Sequence, residues 1–555
     1  MRTMKATKNH KEVKMNKDES KEPTSVYWCS SCNTPVIRPR SEKEHCPLCK
    51  ARMRFLANEL RPVFPPEVKM LELLTGKDLS FKSVWKGRVS YYINGNSLKI
   101  ANRLKIEADD KKLREGLMDK VFDKVFFDQE INRFIRANKE HLAYISLEAI
   151  EYIQQEAKGF DGKDIVVSFS GGKDSTVISD LVCRALPNQK VKHIFGDTTL
   201  EIGSTYKYVD RLKRKRQIEL YTARNNDQCF FKMAKELGPP TMAGRWCCYM
   251  FKTGAINRVM NELFAGRALN FYGVRRNESV NRSNYNRTEE RTESIKIANQ
   301  RMCAPILYWS EIDVWLYILA NKIDFNEAYT LGYTRVGCYT CPNVSNHSEL
   351  MMRIYNHKEF GAWMEQIEEF GECVGARIPS EYAKLGMWKF RNGGNGATSA
   401  HTVKLKKTNC TTEENGRSYE LYKDIVPGFY QLFAPFGRVV DGRKAISEKL
   451  ILHPTSGEPF VSLQALGNRT IKIVTLNVQR PHNLHGRLAY QVVKWNACAS
   501  CLKCESLCKH NAIEVKPCRY RIDDSKCTKC QACVNPKYIP GGCLMTRYLR
   551  TKEAA

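Results

Sequence analysis

The chain has 555 residues, 42% of them hydrophobic, which is enough for about three or four domains with cores of their own. Its formal net charge of +29 favours a polyanionic partner or substrate, although a lysine-rich proteome would give the same excess. No apolar run reaches the ~18 residues of a membrane helix, and the basic N-terminus lacks the apolar segment of a secretory signal. We therefore expect a cytoplasmic protein without a membrane partner.

The 22 cysteines lie mostly in tight groups, which in a large chain without a signal indicate metal sites rather than disulfides. Residues 1–22 are lysine-rich and aperiodic and predict a disordered tail. The segment 23–60 then carries two C-x-x-C pairs, which are Cys29, Cys32, Cys46 and Cys49. Four thiolates at this spacing can close a tetrahedral site, and ~30 residues have too little core to fold without one. We predict a zinc ribbon, with rubredoxin-like iron as the alternative, that binds nucleic acid or serves as a docking module.

Residues 61–111 predict a small β-rich module. Three prolines between residues 62 and 66 indicate a linker at its start. The segment 80–107 alternates between apolar and polar residues around an Asn-Gly-Asn turn, as paired strands do. From residue 112 to 157 the apolar residues recur with helical spacing, so helices are expected to lead into the next domain.

A glycine loop organises the centre of the chain. An apolar run at 165–167 predicts a buried strand, a helical pattern begins at Val177, and two glycines lie between them. Glycines there let the backbone approach an anion at the positive end of a helix, and Lys173 adds a mobile cation. The spacing is not that of a Walker A loop. We predict a phosphate cradle made by Ser170, Gly171, Gly172, Lys173, Asp174, Ser175 and Thr176.

The string Ser-Gly-Gly-Lys-Asp-Ser at 170–175 resembles the PP-loop of the ATP pyrophosphatase superfamily. In that superfamily the loop holds the β,γ-pyrophosphate while a nucleophile attacks the α-phosphate; an ordinary glycine-rich turn is the alternative. Downstream, the segments 196–206, 272–282 and 304–315 resemble the motifs of the phosphoadenosine phosphosulfate reductase family in their order along the chain. The resemblance covers about residues 130–350.

This resemblance implies a parallel-sheet, adenine nucleotide alpha-hydrolase-like domain over residues 112–350 that binds ATP or a sulfonucleotide. The predicted catalytic residues are Lys173, Asp174, Asp197, Arg275 and Arg276. The two aspartates would hold Mg²⁺ or orient the nucleotide. The two arginines would hold an oxyanion, because a guanidinium pairs bidentately with one, and pairing with a nearby glutamate is the alternative.

Two cysteine pairs lie inside this domain, Cys247 with Cys248 and Cys338 with Cys341. Adjacent cysteines followed much later by C-x-x-C resemble the [4Fe–4S] site of adenylylsulfate reductases. The resemblance implies that all four thiolates bind one cubane. A zinc site and two unrelated pairs are the alternatives.

Two features depart from the reductases. Those enzymes usually have a degenerate PP-loop, because their substrate brings no β,γ-pyrophosphate, whereas the loop at 170–176 is intact. They also carry a catalytic cysteine in a C-terminal Glu-Cys-Gly-Leu-His-type tail, and Glu372-Cys373-Val374-Gly375 is only superficially similar. Both differences favour relatives that use ATP, such as the sulfurtransferase of DNA phosphorothioation or thiolation enzymes for tRNA.

Residues 351–490 show no recognisable motif and are expected to be partly β. Residues 491–550 contain two C-x-x-C-x-x-C runs, each with a distal fourth cysteine, and resemble a bacterial two-cluster ferredoxin. The resemblance implies one [4Fe–4S] cluster on Cys498, Cys501, Cys504 and Cys543, and a second on Cys527, Cys530, Cys533 and Cys508. A purely structural ferredoxin fold is the alternative.

We thus expect a multi-domain α/β protein with a central PP-loop domain, a zinc ribbon, a small β module and an α+β ferredoxin domain. The main functional hypothesis is ATP-dependent adenylation coupled to sulfur transfer, with nucleic acid, tRNA or DNA, as the suggested acceptor. The second is a sulfonucleotide reductase that forms sulfite with electrons from its own ferredoxin domain. The third is a redox-sensing nucleic-acid-binding protein. The electron donor and the oligomeric state are left open.

Overall fold

The structure is a computed structural model. It describes residues 24–39, 41, 45–98, 110–117, 122, 124–187, 190–215, 217–242, 244–264, 267–291, 300–390, 403–410, 413, 415–442, 447–479, 481–516, 519–534, 539–547 and 551–553. The predicted tail at 1–22 lies outside these residues. No helix in the described part of the chain combines the length and the apolar character needed to cross a bilayer.

The N-terminal cysteines belong to a three-stranded antiparallel sheet. Its strands are β1 (Thr24–Cys29), β2 (Thr34–Pro39) and β3 (Arg54–Ala57), in the order β2-β1-β3. A four-stranded antiparallel sheet follows, with β4 (Leu60–Pro62), β5 (Val84–Gly87), β6 (Tyr91–Ile93) and β7 (Asn96–Leu98). The turn between β6 and β7 places Asn94 and Gly95 at positive φ, as a tight hairpin requires.

The prediction of a linker around residues 62–66 is wrong. Pro62 is the last residue of β4, and Pro65 and Pro66 begin helix α1 (Pro65–Thr75). Proline suits the first turn of a helix, because the N–H that it lacks has no intrahelical partner there. Within α1 the buried Glu67 accepts two hydrogen bonds from Arg61 of β4, at 2.6 and 2.7 Å. This buried ion pair fixes the helix to the small sheet.

The predicted helical segment contains α2 (Asp110–Leu117), α3 (Val125–Ala137) and α4 (Lys139–Ala157). A six-stranded sheet follows, made of β8 (Ile165–Phe169), β9 (Val191–Asp197), β10 (Ile218–Arg224), β11 (Ala268–Tyr272), β12 (Thr288–Arg291) and β13 (Gln300–Cys303). Its order is β10-β9-β8-β11-β13-β12, and only β12 runs antiparallel. The associated helices are α5 (Lys173–Ala185), α6 (Gly203–Leu212), α7 (Phe230–Leu237), α8 (Gly254–Leu263) and α9 (Glu311–Ala320), with a π-helix (Cys248–Thr253) directly before α8. The predicted α/β fold with a central parallel sheet is confirmed.

The strand order reverses direction at β8. From β8 the chain builds outward through β9 and β10, whereas β11 and β13 lie on the other side. Ligands of open α/β sheets bind outside the carboxyl ends of the strands at such a reversal. The loops after β8 and β11 meet there, because a Cβ added at Gly273 would lie 2.7 Å from the backbone carbon of Asp174. The fold therefore places the predicted phosphate loop at the expected ligand crevice.

Three helices follow the central sheet, α10 (Asn346–Tyr355), α11 (His357–Cys373) and α12 (Pro379–Lys384). A seven-stranded sheet of order β16-β17-β18-β19-β15-β14-β22 comes next. Its strands are β14 (Val403–Asn409), β15 (Gly416–Glu420), β16 (Arg438–Asp441), β17 (Glu448–Leu452), β18 (Pro459–Gly467), β19 (Thr470–Thr475) and β22 (Thr551–Glu553). The remaining elements are α13 (Pro427–Gln431), α14 (Pro481–Ala497), α15 (Lys503–Leu507) and the hairpin β20 (Ile513–Lys516) with β21 (Arg519–Ile522).

The C-terminal cysteine-rich segment is not separate from the sheet before it. Helix α14 runs across the boundary expected at residue 490. Ile471 of the large sheet, Trp495 of α14 and Cys533 share one hydrophobic core. The strand β22 also pairs with β14, which returns the end of the chain to this sheet. The large sheet and the cysteine-rich segment therefore fold around a common core.

Candidate nucleotide site and cysteine groups

The loop after β8 has the geometry of an anion cradle. Gly171 has φ +72°, and a Cβ there would lie 2.9 Å from Cγ2 of Thr205, so both its conformation and its surroundings require glycine. Helix α5 begins directly after the loop, at Lys173. The Ser175 hydroxyl donates to the Gly172 carbonyl at 2.8 Å and accepts from the Ser170 N–H at 3.2 Å. These bonds hold the turn in shape at the positive end of α5.

Hydroxyl groups occupy the loop's backbone donors. The N–H of Lys173 donates to the Tyr329 hydroxyl at 3.0 Å, and the N–H of Gly172 donates to the Ser170 hydroxyl at 3.4 Å. Tyr329 is buried, and its hydroxyl lies 3.3 Å from the position of a Cβ on Gly172. Neutral oxygens thus satisfy donors that a phosphate oxygen could take over.

The side chains of the loop form a dense charge network. Lys173, only 5% exposed, lies 3.1 Å from Asp174 Oδ2 and 3.6 Å from Glu311 Oε1. The Nε of Arg275 donates to Asp174 Oδ1 at 2.6 Å. Arg275 also lies 3.9 Å from Glu59. The predicted residues Lys173, Asp174 and Arg275 are therefore brought together in one cluster.

The charges in this cluster stabilise one another. Burial alone would raise the pKa of Asp174, but Lys173 and Arg275 outweigh it and hold that pKa well below its usual range. Burial alone would lower the pKa of Lys173, but Asp174 and Glu311 raise it above its ordinary value. The cluster is therefore ionised at neutral pH, with two cations beside the phosphate loop.

Asp197 also lies at this edge of the sheet, but its oxygens are occupied. Oδ1 accepts from the Thr199 N–H at 2.8 Å and from the Tyr206 hydroxyl at 3.0 Å. Oδ2 accepts two hydrogen bonds from Arg224, one of them from Nε at 2.9 Å. A magnesium ion at Asp197 would have to replace some of these partners, so the predicted Mg²⁺ role remains a prediction.

The two predicted oxyanion arginines lie in different surroundings. Arg275 is 5% exposed inside the cluster, whereas Arg276 is exposed and its guanidinium lies 4.8 Å from the centre of the Tyr308 ring. Arg282 pairs with Glu278, and after burial the charge of Arg335 contributes most to lowering the pKa of Arg282. Arg335 is thus a further cation on this side of the site.

Sequence reasoning missed three contributors to the loop. Glu59 lies between β3 and β4, and its Oε2 accepts from the Glu311 N–H at 2.7 Å, at the first residue of α9. Glu311 belongs to a motif segment but carried no predicted role, and Tyr329 lies outside every motif. No local pattern marks Glu59 or Tyr329, because each comes from a distant segment.

The N-terminal cysteines form the tightest thiol group. The candidate ligand atoms of Cys29, Cys32, Cys46 and Cys49 all lie within 4.8 Å of one another. The sulfurs of Cys29 and Cys49 are 3.5 Å apart, and those of Cys46 and Cys32 are 3.8 Å apart. Tetrahedral zinc with Zn–S bonds of ~2.3 Å separates its sulfurs by about this distance. The residues therefore fit a single four-coordinate ion.

A second group, here called the central group, consists of Cys247, Cys248, Cys338 and Cys341. The π-helix, which begins at Cys248 directly after Cys247, packs beside β9, and π-helical turns are frequent at functional sites. The Thr198 hydroxyl, just after β9, lies 3.2 Å from Cys338 Sγ, and the Tyr339 N–H donates to the Leu200 carbonyl at 3.0 Å. The central group therefore lies at the same sheet edge as the phosphate loop.

The residues of the central group fit a metal cluster with thiolate ligands. The neighbouring Cys248, and then burial, raise the pKa of Cys247 well above its ordinary value, and both Cys338 and Cys341 add to the effect. Burial raises the pKa of Cys338 in the same way. Lys252 faces Cys338 and acts against this shift. Buried thiolates this close repel one another, so a metal is what would allow all four to ionise.

The eight C-terminal cysteines divide into two groups. The first, here called the proximal group, is Cys498, Cys501, Cys504 and Cys543. The distal group is Cys508, Cys527, Cys530 and Cys533. Burial, and then charges on Cys504, Cys543 and Cys498, raise the pKa of Cys501 well above its ordinary value. All four distal cysteines line one cavity together with Pro435.

A buried lysine supports an anionic occupant of the proximal group. Lys503 is 3% exposed, and within the described residues its Nζ has no hydrogen-bond partner. Burial lowers its pKa to about 8, while Cys501 and Cys504 act in the opposite direction. An ammonium buried without a partner is stabilised by a nearby negative charge, and an iron–sulfur cluster with four thiolate ligands carries one. The residues of the proximal group therefore fit the predicted [4Fe–4S] cluster.

Comparison with known proteins places the central sheet in a family. The model of the phosphoadenosine phosphosulfate reductase domain matches residues 164–344. An adenosine 5'-phosphosulfate reductase of Staphylococcus haemolyticus is 30% identical over 187 residues, which cover 32% of this chain and 71% of that protein. The residues that match the family model, 164–344, include the phosphate loop and the central group.

An uncharacterised protein of Methanocaldococcus jannaschii is 29% identical over 273 residues, covering 49% of this chain and 55% of that protein. A second uncharacterised protein of that organism has 57% of its length covered, so this chain spans little more than half of these two relatives. The solved phosphoadenylyl-sulfate reductase of Candida auris is 20% identical, with a TM-score of 0.28, 37% of this chain covered and 96% of that one.

Proposed function

This chain belongs to the phosphoadenosine phosphosulfate reductase family, and on that premise we propose that it reduces an adenylylated sulfate to sulfite with electrons delivered by its own iron–sulfur clusters. The observation that carries the proposal is the contact between the cysteine-rich C-terminal segment and the π-helix of the central group. Asn225 donates to the Met250 carbonyl in the π-helix at 3.0 Å and to the Ser500 carbonyl at 3.4 Å. A ferredoxin-like segment at this position suits electron delivery.

The residues at the loop suit the binding of a sulfonucleotide. Lys173 and Arg275 provide two cations beside the loop, at the N-terminal end of α5. The guanidinium of Arg275 and the ammonium of Lys173, which Asp174 partly neutralises in the free protein, can donate hydrogen bonds to phosphate and sulfate oxygens. Relatives that are named adenosine 5'-phosphosulfate reductases support this substrate class.

In the proposed reaction the bond between sulfur and the bridging oxygen breaks. The sulfur takes up two electrons and leaves as sulfite. The bridging oxygen stays on the adenylate with the electron pair of the broken bond and so gains a negative charge. Lys173 and Arg275 would stabilise that charge as it develops. The iron–sulfur clusters, when bound, supply the two electrons one at a time. The reductant that supplies these electrons is an external low-potential one-electron carrier, which is oxidised twice for each sulfite.

A second function is favoured by one specific observation. The phosphate loop keeps the glycine geometry of an intact PP-loop, with Gly171 in the left-handed region and Ser170 and Ser175 hydrogen-bonded across the turn. Such a loop suits the β,γ-pyrophosphate of ATP. The alternative proposal is therefore ATP-dependent adenylation coupled to sulfur transfer. A nucleic-acid acceptor remains a prediction.

Calorimetry on anaerobically purified holoprotein separates the two functions. We expect adenosine 5'-phosphosulfate, or its 3'-phosphorylated form, to bind at least 10-fold more tightly than ATP·Mg²⁺, which corresponds to about 1.4 kcal/mol. Lys173→Ala should weaken that binding, whereas Lys163→Ala, at an exposed lysine outside the loop, should not. Tighter binding of ATP with release of pyrophosphate would overturn the reductase proposal in favour of adenylation.

A further inference from the structure

The two C-terminal cysteine groups lie at different distances from the central group. Gly254 directly follows the π-helix, and a Cβ there would lie 2.8 Å from Leu502 Cβ and 3.1 Å from the Cys501 carbonyl oxygen. The proximal group's loop is therefore packed closely against the junction of α8 with the π-helix, which begins at Cys248 directly after Cys247. Only glycine permits this approach.

Polar contacts clamp the same loop. The amide of Asn225, which is 1% exposed, bonds to the π-helix and to Ser500 at once. Arg258 of α8 donates to both carboxylate oxygens of Glu505 in α15, at 3.1 and 3.0 Å. A bidentate pair of this kind fixes orientation as well as distance.

The apolar core is continuous across this contact. Trp246, Met250 and Phe251 share one core cluster with Cys501 and Cys543 of the proximal group. The loop itself is held in an unusual shape, because Ser500 and Leu502 have φ +51° and +62° although neither is glycine. Such residues persist only where their surroundings determine them.

The distal group faces a different part of the molecule. Its cavity is lined by Pro435 and by the β20–β21 hairpin, through Ile513 and Ile522, and Cys530 is exposed. Its core neighbours include Ile471 of the large C-terminal sheet and Phe429 of α13. Within the described residues the distal group therefore lies in the core of the C-terminal sheet, whereas Cys501 and Cys543 lie in the core of the π-helix.

A buried cation lies between the two groups. Lys494 of α14 is 2% exposed and donates to the Cys533 carbonyl of the distal group at 3.3 Å. Cys504 and Cys543 of the proximal group and Cys533 of the distal group all act on its charge. A fixed positive charge in this position favours the reduced form of either group.

We infer that these contacts make the chain a three-station electron relay, in which the distal group receives electrons and the proximal group passes them to the central group. The inference rests on the proposed function for its end use. Asn225, Arg258 and Gly254 act as positioning residues that set the distance of the last step. With clusters bound to the three groups, an external low-potential one-electron carrier would be oxidised, and its electron would pass to the distal, proximal and central sites in turn and from there to the adenylylated sulfate.

The test is electron paramagnetic resonance of the reduced, full-length holoprotein without nucleotide, with dithionite as the reductant. Spins on neighbouring reduced clusters broaden one another's signals. We expect the central signal to broaden once the C-terminal clusters are reduced. Cys501→Ser, in the proximal group, should remove this broadening, and the matched change Cys530→Ser, in the distal group, should leave it.

Interface variants keep the test independent of ligand loss. Arg258→Ala, read in protein with full iron content, should weaken the broadening, and Arg258→Lys should retain most of it. Arg469→Ala is the matched control, since Arg469 forms a similar 2.6 Å ion pair with Asp424, and both side chains of that pair are more than half exposed.

Two results would overturn the relay: broadening that survives Cys501→Ser and disappears in Cys530→Ser, or a central signal that ignores the redox state of the C-terminal groups. Because no turnover is involved, a chain that forms no sulfite could still pass this test. Conversely, sulfite formation without coupling would leave the proposed function intact and remove the relay.

Discussion

The phosphate loop and the central cysteine group lie at the same sheet edge but differ in how the protein balances their charges. At the loop, Lys173 and Asp174 have partners of opposite charge within the protein, and hydroxyls occupy the backbone donors of Gly172 and Lys173. In the central group, burial and mutual repulsion oppose ionisation of the thiols. The charges of the loop are therefore balanced without a ligand, whereas the thiols of the central group stay protonated unless a metal binds them.

The largest expected effect is on the cysteine side of this comparison. Cys338→Ser should lose about four irons per chain and all sulfite formation, because a cubane requires four thiolate ligands. Zinc content should stay unchanged, since the N-terminal group is separate. Iron and zinc are measured by mass spectrometry of the purified protein.

Cys183→Ser is the control for this change. Cys183 is a buried thiol of α5 with its pKa raised by burial to about 11, and it lies outside the three iron groups. It should keep its full iron content. If Cys338→Ser also keeps its iron, the central group is not a cluster site.

On the loop side, Lys173→Ala should act on turnover and not on metal content. Removing a preorganised cation from a site of developing negative charge costs on the order of 10²–10³-fold in turnover. Iron content should equal that of the unmodified protein. Turnover within a few-fold of normal would contradict the assignment of Lys173, and Lys163→Ala serves as the surface control.

Arg275→Lys tests geometry at the loop while keeping the charge. Lysine cannot reproduce the Nε–H bond to Asp174 at 2.6 Å, and a hydrogen bond between charged groups contributes about 1.5–3 kcal/mol. We expect a loss of roughly 10- to 100-fold in kcat/KM. A similar loss of kcat/KM in Arg276→Lys, at the exposed arginine on Tyr308, would show that the ion pair of Arg275 with Asp174 has no particular role in catalysis.

The smallest expected effect is on the pH dependence of folding stability. His193 of β9 lies in the core beneath α5, where it contacts the Ser179 hydroxyl at 2.9 Å. Burial lowers its pKa from 6.5 to about 4, so the unfolded chain takes up a proton at a higher pH than the folded one. Stability from this residue is complete above pH 6.5 and is lost as the pH falls towards 4.

Between pH 6.5 and 5 the loss should be on the order of 1–2 kcal/mol. It is measured as the shift of the urea midpoint, and His193→Gln should flatten the shift. An unchanged pH dependence in that variant would mean that other groups control acid stability.

Local patterns predicted the loop and its sheet well. The run at 165–167, the two glycines and the helical spacing after them are all contained in a short segment, and β8, Gly171 and α5 follow them. The parallel arrangement of β8 and β9 agrees with the parallel-sheet domain that the family resemblance implied. The prolines at 65 and 66 were misread, although proline in the first turn is itself a helix signal.

What sequence reasoning could not supply came from long-range packing. Glu59 reaches Glu311 across 252 residues, and Tyr329 meets Lys173 across 156. The contact of Asn225 with Ser500 joins segments 275 residues apart, and no spacing rule connects them. The common core of the large sheet and the cysteine-rich segment likewise depends on tertiary structure, so residue 490 did not mark an end to either.

The most direct test of the account is sulfite formation by the full-length, anaerobically purified holoprotein. Adenosine 5'-phosphosulfate is supplied as substrate and reduced methyl viologen as the electron source, with Cys338→Ser as the blank. If the chain is a reductase, we expect sulfite and adenylate in equal amounts, with two viologen radicals oxidised for each sulfite. Absence of sulfite from a protein with full iron content, together with pyrophosphate release from ATP, would contradict it.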